Sequence, residues 1–152
     1  MGKTAIAYYS RHKGNTKKVL DALKEHDPDL VLIDVTEKRE ADLTGYDRIG
    51  FASGSYYTRF AEQILNFARI NLPVQKDVFF ICTAGNPMDI YFNAISEITR
   101  AKHCKELGRY LAKGLDTFGP FKLVGGIQKE HPNSDEIAAA VEFYKNLFDE
   151  KI

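Results

Sequence analysis

The chain has 152 residues, with 21 basic and 21 acidic side chains, four scattered histidines and two cysteines. The balanced charge gives no attraction to nucleic acid, no apolar run approaches the roughly 20 residues that span a bilayer, and the cysteines form neither a disulfide framework nor a metal-binding spacing. We therefore expect one cytoplasmic domain over residues 1–152, with no metal, nucleic acid or membrane among its partners.

The first strand and helix are read from a change of periodicity. Residues 3–9 form a short apolar run that ends at Ser10, which is typical of a strand covered on both faces. From Asn15 onward, apolar residues recur at helical intervals on one face until Pro28 stops the pattern. The opening of the chain is thus predicted to be a strand followed by a helix.

The same alternation continues through the middle of the chain. Residues 30–35 and 48–53 are apolar runs that predict the second and third strands. Apolar side chains from Phe60 to Ala68 then recur at helical intervals, and residues 77–83 form the most apolar strand of all. Strands therefore alternate with helices along this stretch.

The region after the fourth predicted strand admits two interpretations. In the one we favour, residues 88–102 form a helix, residues 106–112 form the fifth strand, and residues 113–132 form a long loop. In the other, residues 104–115 form a helix and residues 122–127 form the fifth strand. The second places two glycines in a helix, each of which costs about 1 kcal/mol relative to alanine.

A last helix is predicted from Ser134, with that serine as its N-cap and a buried stripe running from Ile137 to Phe148. Strands that alternate with helices are joined by right-handed crossovers, which make the strands parallel and place helices on both faces. We therefore predict an α/β fold with a doubly wound, five-stranded parallel sheet.

Three loops follow strands at the sheet edge where doubly wound folds bind ligands. The first combines hydroxyls, an amide and a glycine at a helix N-terminus, which suits a phosphate, although Asn15 or Thr16 could simply cap the helix. The second offers tyrosine faces for a flat ring, and the third offers small residues with backbone N–H groups for a ring edge. The candidate cofactor-binding residues are Ser10, Arg11, His12, Lys13, Gly14, Asn15 and Thr16, then Ser53, Gly54, Ser55, Tyr56 and Tyr57, then Thr83, Ala84, Gly85 and Asn86.

These loops give the chain a resemblance to the flavodoxin family. The segment from Ser10 to Thr16 resembles the family's phosphate loop, usually Ser/Thr-x-Thr-Gly-Asn-Thr, with one extra residue before Gly14. The second and third loops are similar to the two flavin-ring loops of the family. The resemblance implies FMN as a non-covalently bound cofactor, the strand order 2-1-3-4-5, and electron transfer that requires no catalytic side chain.

Two redox roles remain open. The resemblance implies an electron carrier that serves redox protein partners, but carriers of this family are usually acidic and this chain is neutral and has no tryptophan. We expect a monomer or a homodimer, which the sequence does not distinguish. The alternative is an FMN-dependent reductase that passes electrons from NAD(P)H to a quinone-like small-molecule electron acceptor. A flavin-free signalling module would need acidic residues at the end of the first strand, where the chain has Tyr8, Tyr9 and Ser10.

Overall fold

A computed structural model describes residues 2–10, 14–56, 58–84, 88–112 and 134–148 of the chain. Within these ranges the strands form a single six-stranded sheet. The strands are β1 (Thr4–Tyr9), β2 (Val31–Asp34), β3 (Arg48–Tyr56), β4 (Arg59–Phe60), β5 (Asp77–Thr83) and β6 (Lys105–Ala112). None of the helices in the described ranges is long and apolar enough to cross a membrane.

The sheet has the strand order β2-β1-β3-β5-β6, and the two-residue β4 pairs antiparallel with β3 outside this path. All neighbours along the path are parallel. With β4 set aside, this is the predicted order of a five-stranded doubly wound sheet, so the predicted fold class is confirmed. The register places Tyr9 beside Ser53 and Gly54 beside Thr83, so the carboxyl ends of β1, β3 and β5 lie side by side.

Helices cover both faces of the sheet. They are α1 (Asn15–His26), α2 (Glu62–Asn71), α3 (Asn93–Ala101) and α4 (Ser134–Asn146). Alternation along β1 separates two cores, because Ala5 and Ala7 pack with residues of α2 and α3 while Ile6 and Tyr8 pack with residues of α1 and α4. Each helix pair therefore buries its apolar stripe against one side of the same strands.

The fifth parallel strand lies where the favoured interpretation placed it. β6 spans Lys105–Ala112 and pairs with β5 along its length, so that Ala112 lies beside Thr83. A helix over residues 104–115 is therefore wrong. Gly108 lies in this strand. A Cβ there would come within 3.1 Å of the Phe143 ring on α4, so the glycine allows the helix to pack closely on the strand. Residues 122–127 and the predicted loop over residues 113–132 lie outside the described residues.

The third strand extends beyond its predicted end at Ser53 to Tyr56. It then turns back, so that Ser55 pairs with Phe60 in β4, and α2 begins only at Glu62. Phe60 was predicted to belong to the helix because its spacing from the helix residues fits a helical period. In the structure Phe60 belongs to β4, and its ring is buried against those of Phe80 and Phe92.

Two other predicted helices differ in detail. The helix predicted over residues 88–102 has two parts, a 3₁₀ turn (Asp89–Phe92) and α3. It ends before His103, whose φ of 59° lies in the left-handed region. The last helix is described over Ser134–Asn146, with Ser134 in its first turn, and the residue before it lies outside the described residues.

Candidate functional site

The predicted ligand-binding segments meet at the carboxyl edge of the sheet. The hydroxyls of Thr16 and Thr83 are 2.8 Å apart and form a buried hydrogen bond between the first and third segments. The rings of Tyr9 and Tyr56 lie edge to face, with centroids 5.8 Å apart. A Cβ on Gly54 would lie 3.7 Å from the carbonyl oxygen of Thr83, so the second and third segments are also in contact range.

The first segment forms the N-terminus of α1. Gly14 is its N-cap residue, with φ 68° and ψ 41°, a left-handed conformation that glycine adopts without strain. Asn15 and Thr16 lie inside the helix, so neither is its cap, and no side-chain hydrogen bond caps this end among the described residues. A Cβ on Gly14 would lie 3.8 Å from the Ser10 hydroxyl, which places this oxygen over the glycine.

This helix end is suited to an anion. The first intrahelical bond runs from the Lys18 N–H to the Gly14 carbonyl, so the N–H groups of residues 15–17 have no partner within the helix. The first turn contains no acidic residue, and the helix dipole adds partial positive charge. The predicted contributors Arg11, His12 and Lys13 lie outside the described residues.

Part of the second segment has a structural role. The Ser53 hydroxyl is fully buried, donates to the Gly54 carbonyl at 2.6 Å, and accepts the backbone N–H of Ala61 at 2.9 Å. This serine thereby anchors the start of α2. Gly54, Ser55 and Tyr56 are half-buried strand residues and not loop residues. Tyr57 lies outside the described residues.

The third segment is less open than predicted. Thr83 and Ala84 are buried, and the Ala84 N–H, predicted to be free, donates to the Ala112 carbonyl at 2.8 Å. Gly85 and Asn86 lie outside the described residues. Burial raises the pKa of the neighbouring Cys82 thiol to about 12, so this thiol stays protonated at neutral pH.

Tyr9 is a further candidate site residue that was not among the predicted ones. It is the last residue of β1, it is half-buried, and its ring contacts that of Tyr56. Tyr8 faces the opposite side of the sheet and is buried there; burial and the nearby Asp34 carboxylate raise the pKa of Tyr8. The sequence signal was an aromatic residue directly before the phosphate-loop serine, at the end of a strand.

A cavity of about 580 Å³ lies at the opposite edge of the sheet, away from the candidate site. Several of its polar side chains are paired with one another. The Arg48 guanidinium donates to the Thr4 hydroxyl at 3.2 Å and lies 4.2 Å from the centre of the Phe148 ring, while the Tyr144 hydroxyl donates to Asp27 at 2.7 Å. These contacts make this edge a structural junction between α1, α4 and the strand starts.

A doubly wound parallel sheet, with a helix N-terminus that no described side chain caps and with paired tyrosines at its carboxyl edge, defines a flavodoxin-like α/β protein. The chain belongs to the family described as the flavodoxin domain, whose model matches residues 5–120. It is 34% identical over 149 residues to an uncharacterised protein of Methanocaldococcus jannaschii, which covers 95% of this chain and 97% of that protein.

Solved structures show the same fold at low sequence identity. Oxidised flavodoxin 1 from Bacillus cereus superposes with a TM-score of 0.68 at 11% identity, over 98% of this chain and 99% of that one. The flavodoxin of Fusobacterium nucleatum bound to flavin mononucleotide has a TM-score of 0.61 at 12% identity, over 98% of this chain and 100% of that one.

Proposed function

We propose that this chain is a single-domain redox protein over residues 1–152 that carries electrons through one non-covalently bound FMN. The observation that carries the proposal is the N-terminus of α1, which no side chain of the described residues caps and where the Ser10 hydroxyl lies 3.8 Å from the Cβ position of the left-handed Gly14. Membership of the flavodoxin family and the FMN complex of a structural relative support the choice of cofactor.

The phosphate of FMN fits the donor set at this helix end. A phosphate monoester carries close to two negative charges. The N–H groups of residues 15–17, which have no partner within the helix, together with the helix dipole favour an anion. The Ser10 and Thr16 hydroxyls add donors at the same place. We expect Asn15 and the loop residues Arg11, His12 and Lys13 to complete the phosphate contacts.

The flavin ring is assigned to the edge between the second and third segments. Tyr56 offers an aromatic face at the end of β3, and Gly54, Ser55 and Thr83 lie beside it. We expect Tyr57 and the small residues after Thr83 to contact the ring as well. When bound, FMN supplies one- and two-electron chemistry that amino acid side chains lack. The residues of this chain hold and orient it: Ser53 and Ala84 fix the backbone, and Gly85 and Asn86 are expected to meet the ring edge.

Replacement of Gly14 by valine tests the phosphate site. A β-branched residue at φ 68° is strained by about 1–2 kcal/mol, and its side chain would crowd the space beside Ser10. We expect Gly14→Val to weaken FMN binding about tenfold or more, measured by quenching of flavin fluorescence during titration of the apoprotein.

Gly45→Val is the matched control. No atom lies within 4 Å of a Cβ on Gly45, and this glycine is not among the described residues with positive φ. We expect this variant to bind FMN as the wild type does. Equal FMN affinities for wild type, Gly14→Val and Gly45→Val would argue against this loop as the phosphate site.

A reductase is the second candidate. The chain has no net charge to guide docking to a charged redox partner, and a groove of about 380 Å³ bordered by Tyr9, Arg39 and Phe67 lies beside the candidate site, with room for a small-molecule acceptor. Steady-state oxidation of NADH or NADPH by the FMN-loaded protein with a quinone acceptor separates the two. Sustained turnover supports the reductase, and its absence supports the carrier.

A further inference from the structure

The hydroxyl pair formed by Thr16 and Thr83 links two parts of the candidate site. The two residues are 67 positions apart in the sequence, their oxygens are 2.8 Å apart, and they are only 2% and 5% exposed. We propose that Thr83 is a positioning residue that holds the Thr16 hydroxyl as a donor to the flavin phosphate, and so makes the chain prefer FMN over riboflavin. This inference rests on the proposed function.

The hydrogen bond to Thr83 joins the start of α1 to the end of β5. Among the described residues, Thr83 is the hydrogen-bond partner of the Thr16 hydroxyl. A β-branched side chain has few χ1 rotamers in a helix, and a hydrogen bond selects among them. The partner on β5 therefore holds Thr16 in a rotamer that keeps its oxygen at the carboxyl edge of the sheet.

The two hydroxyl protons of the pair explain how Thr16 can also donate a hydrogen bond to an anion. Each hydroxyl has one proton to donate and two lone pairs, and one shared hydrogen bond uses one proton of the two. When Thr83 donates to Thr16, the Thr16 proton is left to donate to an anion at the α1 N-terminus. The two bonds then form a chain in which each polarises the other, which strengthens the contact to the phosphate.

The effect is specific for the phosphate group. Riboflavin has the same ring system and ribityl chain as FMN but ends in a neutral hydroxyl, so it gains little from a donor held at the helix N-terminus. Loss of the Thr83 hydroxyl should therefore weaken FMN binding while it leaves riboflavin binding almost unchanged. A role in packing alone would weaken both ligands by the same factor.

The test compares the affinities of both flavins for wild type, Thr83→Val and Thr83→Ser. Valine keeps the shape of threonine and its strand propensity but removes the hydroxyl, so we expect the Kd for FMN to rise about fivefold and the Kd for riboflavin to stay within about twofold. Serine retains the hydroxyl and should restore the wild-type ratio of the two Kd values. Thr83→Ala provides a second removal of the hydroxyl in case the valine variant folds poorly.

Two further variants sharpen the comparison. Thr99 is also a buried threonine with one hydrogen bond, from its hydroxyl to the Ser96 carbonyl at 3.1 Å, and it lies on α3. Thr99→Val should leave the ratio unchanged. In a Thr16→Val background, Thr83→Val should change the ratio no further, because Thr83 acts through Thr16.

The outcomes separate the two proposals. An equal change in both Kd values, or no change in either, would overturn the role of Thr83 while FMN binding by the wild type upholds the proposed function. A wild-type protein that binds neither flavin would overturn both. A rise in the FMN Kd alone, reversed by Thr83→Ser, supports the inference.

Discussion

Tyr144 on α4 shows how a polar side chain is accommodated in the core. It is 1% exposed, its hydroxyl donates to the Asp27 carboxylate at 2.7 Å, and its ring packs edge to face on Phe79 and Phe148. Burial, followed by the hydrogen bond to Asp27, raises the pKa of Tyr144 well above its ordinary value of 10.0. The neutral phenol is thus the form that the fold favours.

This raised pKa predicts a loss of stability in alkaline solution. Above about pH 10 a tyrosine in the unfolded chain loses its proton while the buried Tyr144 keeps it, so the native state holds the extra proton and the free energy of unfolding falls as pH rises. One such group contributes a slope of up to about 1.4 kcal/mol per pH unit. Urea unfolding of Tyr144→Phe between about pH 9.5 and 11.5 should show a shallower decline than the wild type. An unchanged slope would contradict this account.

The site shows which residue-level features a sequence reveals. The glycine and hydroxyls from Ser10 to Thr16 could be proposed from the sequence because a helix follows directly after a strand. Tyr9 was missed because two adjacent tyrosines point to opposite faces of the strand, and the sequence does not say which face carries the ligand. The Thr16–Thr83 hydrogen bond depends on strand register, which joins residues 67 apart.

The C-terminus of α2 is capped from another part of the chain. The Lys102 ammonium, which follows α3, donates to the carbonyls of Ala68, Arg69 and Leu72 at 3.1, 2.8 and 2.7 Å. The Ala68 carbonyl also accepts the Leu72 N–H at 3.1 Å, but the last carbonyls of a helix lack intrahelical donors, and a cation there complements the helix dipole. One side chain thus ties the ends of α2 and α3 together.

Lys102→Met should therefore destabilise the protein. Methionine has a similar apolar stem but no donors, so the three carbonyls lose their cap, and we expect the free energy of unfolding to fall by about 1–3 kcal/mol in urea denaturation. Lys145→Met is the control, since Lys145 is exposed and lies 3.9 Å from Glu142, a surface pair worth about 0–1 kcal/mol. Equal stabilities of the two variants would mean that Lys102 is no cap.

Helices and strands were predicted correctly where the hydrophobic periodicity extends over many residues. The prediction failed where a short strand pairs with its neighbour in the sequence. β6 was placed correctly because two glycines disfavour a helix there. The β3–β4 hairpin was missed because its turn includes Thr58 at φ 66°, a conformation that glycine or asparagine would have signalled. Phe60 at a helical interval from Ile64 then gave a false extension of α2.

The topology of the whole fold follows from the alternation of strands and helices. Right-handed crossovers between parallel strands leave few topologies, and the resemblance of the Ser10 to Thr16 loop to the flavodoxin phosphate loop selected the observed one. That topology brings segments near residues 10, 54 and 83 to a single edge. We propose that this edge holds FMN by its phosphate and its ring.

The most direct test is the identity and amount of flavin bound by the purified protein. The flavin is released by heat and identified by chromatography, and apoprotein is then titrated with FMN and with FAD. We predict that the released flavin is FMN and that FMN saturates the apoprotein at one molecule per chain. A colourless protein that takes up neither FMN nor FAD would contradict the account.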